Sequence, residues 1–156
     1  MKLIPTGIEN FKELIDKDYY YVDKTNLIVN IINEKVVLYT RPRRFGKTLN
    51  MSMLYYFFSI KEKKNSYLFN HLNISKNIDA LKHQNKYPTI FISLKDMKVP
   101  SMENQLLNFS SIIARLLDQF EDILDYDIFN DREKTLLNKY HMGIASKNEL
   151  AESLLN

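Results

Sequence analysis

Helical and strand-like rhythms alternate along the chain. Apolar residues at Ile8, Phe11, Leu14 and Ile15 predict a short helix that ends near Asp16-Lys17-Asp18. Tyr19 to Val22 has strand propensity, and Asp23 is placed to cap a helix whose apolar stripe is Leu27, Ile28, Ile31 and Ile32. Val36 to Thr40 is a β-branched apolar run bounded by charges and by Pro42, the pattern of a strand buried on both faces of a parallel sheet. Thr48 to Ile60 is apolar on nearly all sides, which predicts a helix covered on more than one side. After a polar run, Lys61 to Ser66, read as a solvated loop, a short helix is expected over Ser75 to Gln84 and a second buried strand over Thr89 to Leu94. From Ser101 the pattern is helical and sustained, through Met102, Leu106, Phe109, Ile113, Leu116, Phe120 and Ile123. Two further helices, Glu133 to Tyr140 and Lys147 to Leu155, are separated near Gly143. Strand, loop, helix and strand in this order predict a right-handed parallel crossover. The expected class is therefore α/β, a partial three-layer fold with a small parallel sheet and helices on both faces.

With 156 residues and 45% hydrophobic content the chain can bury one core of ordinary size. There is no cysteine, which excludes disulfides and thiolate metal sites. No apolar signal core opens the sequence and no window approaches a membrane span, so a cytoplasmic protein with no membrane partner is expected. The net charge of +3 is unevenly spread: residues 1 to 64 hold 12 Lys/Arg against 7 Asp/Glu, and residues 101 to 156 hold 5 against 10. A positive field in the first part suits an anionic ligand, nucleic acid included. The acidic run Asp125 to Glu133 fails as a calcium loop, because Phe129 stands where a third ligand is needed and no glycine follows.

The stretch Val36 to Leu49 reads as strand, basic loop and first helical turn, the layout of a phosphate-binding loop. The pattern G-x-x-x-x-G-K-[ST] is met at Gly46, Lys47 and Thr48, while Arg41 replaces its opening glycine. Such a loop turns successive backbone N–H groups toward an anion at a helix N-terminus. Lys47 would reach the β- and γ-phosphates, the Thr48 hydroxyl would join the Mg²⁺ shell, and Gly46 would let phosphate approach the backbone. Arg41, Arg43 and Arg44 bring guanidinium forks that match phosphate oxygens. Arg41, Arg43, Arg44, Phe45, Gly46, Lys47, Thr48 and Leu49 form the candidate site.

Tyr20 to Thr25, Thr40 to Ser52 and Tyr87 to Asp96 together resemble the AAA-ATPase-like family of bacterial P-loop proteins, in which an arginine-rich loop without its first glycine is the usual form. The resemblance implies a P-loop NTPase fold, ATP and Mg²⁺ as cofactors, the phosphate role for Lys47 and the magnesium role for Thr48. Many proteins of that family resemble fusions with a C-terminal nuclease-like domain of the PD-(D/E)xK type, which 156 residues are far too few to contain, and the resemblance extends to a nucleic-acid partner through a fused or separate domain of that kind. Residues 1–156 are expected to be the N-terminal part of one such ATPase domain, cut off before the Walker B strand. The candidate for an acidic magnesium organiser is Asp96, after the buried strand expected over Thr89 to Leu94, and it reads better as a strand-end or loop residue. Nucleotide binding is expected, with hydrolysis doubtful in this chain alone. Two alternatives stay open: a nucleic-acid phosphate-binding module using Arg41, Arg43, Arg44, Lys47, Lys61, Lys63 and Lys64, and an inactive remnant whose helix Ser101 to Asp125 is an interaction surface.

Overall fold

The computed structural model describes residues 2–40, 42, 44–95, 101–122 and 126–153. It resolves into two compact units, Met1–Phe91 and Ile92–Asn156.

In the first unit the helices are short, and side-chain caps open α-helices at Asn10 and Asn77. Helix α1, Phe11–Asp16, is opened by Asn10, whose side chain accepts from the Glu13 N–H, and it buries Phe11 and Leu14. Helix α2, Asn26–Ile31, follows Thr25 and buries Ile28. Helix α3, Lys47–Phe58, is the longest of the unit, and its side chains Met53 and Phe57 are fully buried. A 3₁₀ stretch over Ile60–Phe69, a second over Asn73–Lys76 and helix α4, Ile78–Leu81, complete it. The core gathers Phe11, Ile28, Met53, Phe57, Leu68, Phe69, Ile74 and Ala80. Phe69 stacks on Phe11 at 5.3 Å and meets Phe57 edge-on at 5.1 Å, so one ring ties α1 and α3 to the 3₁₀ stretch.

The second unit holds α5, Met102–Phe120, α6, Asp131–His141, and α7, Lys147–Glu152, around Ile113, Tyr140 and Leu150. Capping boxes open both α6, through Asn130 and Glu133, and α7, through Ser146 and Glu149.

The helices of the second unit follow the apolar stripes closely, but the expected α/β fold is not what the chain adopts. The structure is 57% helix and 1% strand, with no sheet among the described residues. Its β pairing there is a single parallel bridge, Ser59 to Tyr87. The two expected strands run without ladder partners: Val36 is 89% and Leu38 87% exposed, and Ile90 and Leu94 are exposed as well. A strand exists only through its neighbours, and pairing is a long-range property that an apolar run cannot supply alone. The right-handed crossover and the three layers fall with the sheet. The solvated loop expected over Lys61 to Ser66 is instead 3₁₀ helix with Asn65 buried.

Candidate functional site

Asp23 does not cap α2. Its Oδ1 accepts from the Thr25 N–H at 2.8 Å and from the Thr25 hydroxyl at 2.7 Å, while Oδ2 accepts from the Asn73 N–H at 2.6 Å. Thr25 Oγ1 in turn accepts from the Ile74 N–H at 3.1 Å. Asp23 and Thr25 thus latch residues 23–25 to residues 73–74, and both carboxylate oxygens are used in doing so. A tyrosine of this region, Tyr21, packs inward, edge-on to Phe11 at 5.6 Å, with its hydroxyl on the Met53 sulfur at 3.4 Å.

The basic stretch sits at the N-terminus of α3. Gly46 is the N-cap residue with φ +72°, and Arg44 two residues earlier also has a left-handed backbone, φ +66°. Among the described residues, no atom outside its immediate neighbours lies within 4 Å of where a Gly46 Cβ would stand. The glycine is therefore required here by its backbone conformation, and the space beside it is open. Gly46 has no side chain with which to cap the helix, and the first turn carries no acidic residue. The leading N–H groups of an α-helix have no acceptor within the helix, and the dipole adds positive potential at this end. Arg44, Phe45 and Lys47 are exposed, Thr48 is half-buried, and Leu49 packs against the core. Arg41, Arg43 and Asp96 lie outside the described residues. The structure thus brings Arg44, Phe45, Gly46, Lys47 and Thr48 to one helix end.

It does not bring Lys61, Lys63 and Lys64 to the same end. They follow the C-terminus of α3, which has 12 residues and so separates them from the loop by about 18 Å.

One buried side chain of this neighbourhood, Asn50, stands outside the motif. Asn50, one turn into α3, is 2% exposed, and its Nδ2 donates to the Tyr39 hydroxyl at 2.9 Å. The signal for it was present as an amide between Leu49 and Met51 in a largely apolar helix. Asn85 closes the opposite end of α3. Its Nδ2 donates to the Tyr56 carbonyl at 3.0 Å and the Ser59 carbonyl at 2.8 Å, and its N–H to the Phe57 carbonyl at 2.7 Å.

An uncharacterized protein encoded in the vnfD 5′ region of Azotobacter chroococcum mcd 1 is 42% identical over 55 residues, which cover 34% of this chain and 11% of that protein. The chain therefore matches only about a tenth of that relative's length. No solved structure matches it. Among the described residues no helix is long and apolar enough to cross a membrane. The sequence model of the family described as "Predicted AAA-ATPase" matches residues 5–152, nearly the whole chain, which therefore belongs to the AAA-ATPase-like family.

Proposed function

We propose that this chain binds a nucleoside triphosphate, ATP, by its phosphates at the N-terminus of α3. The observation that carries the reading is the uncapped helix end at left-handed Gly46, with Lys47 and Arg44 exposed beside it. Backbone N–H groups and the helix dipole supply a sequence-independent anion site, to which Lys47 adds a mobile charge and Arg44 a fork of donors. Arg41 and Arg43 belong to the same reading as further phosphate partners. Membership of an ATPase-like family supports ATP over other anions. Magnesium would enter with the nucleotide, held on the protein side by the Thr48 hydroxyl, and would neutralise phosphate charge. The proposal concerns binding, with residues 1–156 acting as the N-terminal part of an ATPase domain.

Titration with labelled ATP tests it. Lys47→Ala removes one charge-assisted contact and is expected to weaken binding by about tenfold to a hundredfold. Equal binding by the two proteins would sink the assignment. Binding of DNA that is strongly salt-dependent and indifferent to ATP would favour a nucleic-acid module instead. The separation of Lys61, Lys63 and Lys64 from the loop speaks against that outcome.

A further inference from the structure

We infer that Tyr39 and Asn50 form a clasp that fixes the shape of the phosphate loop, and that nucleotide affinity depends on it; the second clause rests on the phosphate reading above. The described loop residues Arg44 to Gly46 lead into α3, and residues 36–40 precede them in the chain. The outgoing arm is the first turn of α3, where the Asn50 N–H donates to the Gly46 carbonyl at 2.9 Å. The incoming arm, residues 36–40, has no ladder to hold it among the described residues, and Val36 and Leu38 are almost fully exposed.

Tyr39 is the exception in that arm. It is half-buried, and its hydroxyl accepts from Asn50 Nδ2 across the mouth of the loop, joining residues 11 positions apart. Asn50 therefore holds both ends, the outgoing arm through its backbone and the incoming arm through its side chain. Its amide is buried, so loss of the Tyr39 hydroxyl would strand a donor away from water, which concentrates the cost at this joint.

An anion site made of backbone N–H groups binds well only if those groups already converge. Where they do not, the ligand must order them, and affinity falls by that amount. A run with no ladder among the described residues gains from a side-chain clasp to a helix. Tyr39 and Asn50 are positioning residues in this account, since neither need touch the nucleotide.

Tyr39→Phe removes one oxygen, and Asn50→Leu keeps the volume of the amide. Each is expected to weaken ATP binding about threefold to tenfold, and the double variant no further than the weaker single one. Asn85→Gly, which loosens the far end of α3, serves as the control: it should lower the urea midpoint and leave affinity unchanged. Hydrogen exchange of the Arg44 to Thr48 amides, measured without nucleotide, should speed up in Tyr39→Phe but not in Asn85→Gly. Wild-type affinity and wild-type loop exchange in Tyr39→Phe would overturn the clasp. So would losses that multiply in the double variant. Absence of ATP binding by the unsubstituted chain would overturn the phosphate reading instead, and the exchange measurement would still decide the clasp. Tyr39→Phe keeps the test open even if Asn50→Leu fails to fold.

Discussion

Glu149 shows how much one side chain can be asked to do. It completes the capping box of α7, pairs with Lys139 at 2.7 Å, and its backbone carbonyl accepts from the Tyr140 hydroxyl at 2.6 Å. The Lys139 ammonium, followed by the Ser146 N–H and hydroxyl, holds its carboxyl down at about 2 from an ordinary value of 4.5. A carboxyl depressed in the folded state stabilises fully above the unfolded value, and that stabilisation is lost as pH falls from 4.5 toward 2. Glu149→Gln lacks this contribution, so its urea midpoint should lie below that of the parent at pH 7, and the gap should close as the pH nears 2. A gap that stays constant across that range would contradict the assignment. Residues of this kind were partly legible: Ser146 three positions before Glu149 is a visible cap pattern. Asp23, by contrast, looked like a cap and is a latch, because its second partner, Asn73, lies 50 positions away. Arg44 was legible as a charge but not as a residue with positive φ, a conformation costing on the order of 1 kcal/mol outside glycine.

At the scale of elements, α3 joins the candidate site to the core: its first turn presents the loop, and its later turns bury Met53 and Phe57. Its C-terminal carbonyls are closed by residues 85–87, since Asn85 reaches three carbonyls and the Tyr87 N–H donates to Phe58 at 3.0 Å. Asn85 sits at φ +54°, a region that asparagine tolerates better than most residues. Asn85→Ala both strains the backbone and strands two carbonyls, and should cost about 3 kcal/mol in urea unfolding of the first unit. Asn85→Gly relieves the strain and should cost about 1 kcal/mol less. Equal losses for the two would show that φ plays no part. The helices were legible because their information is local: α3 was expected over Thr48 to Ile60 and runs Lys47–Phe58, and α6 was expected over Glu133 to Tyr140 and runs Asp131–His141. The strands were misread because Val36 to Thr40 carries the composition of a sheet and finds no ladder. Phe91 of the second run instead lies 5.8 Å from the Tyr55 ring on α3. Of the site, the helix end and Gly46 were legible in Gly46-Lys47-Thr48, while the Tyr39–Asn50 joint needed coordinates, because a hydrogen bond between two side chains leaves no periodic mark.

Taken over the whole chain, charge follows the division into units: Met1–Phe91 carries 15 Lys/Arg against 8 Asp/Glu, and Ile92–Asn156 carries 7 against 11. The unit that holds the candidate anion site is thus the positive one, in keeping with a long-range attraction that salt would screen. The exposed Val36 to Thr40 run has a different consequence, which is colloidal. Its exposed side chains Val36, Val37 and Leu38 offer apolar surface to other molecules of the same kind, with Lys35 as the charge guarding the leading edge. Leu38→Lys should raise the protein concentration at which light scattering appears, while moving the unfolding free energy by no more than about 0.5 kcal/mol. No gain in solubility would show that self-association starts elsewhere. A gain would mean that Val36 to Thr40, a run with the composition of a strand, sets how concentrated a solution of this chain can be made.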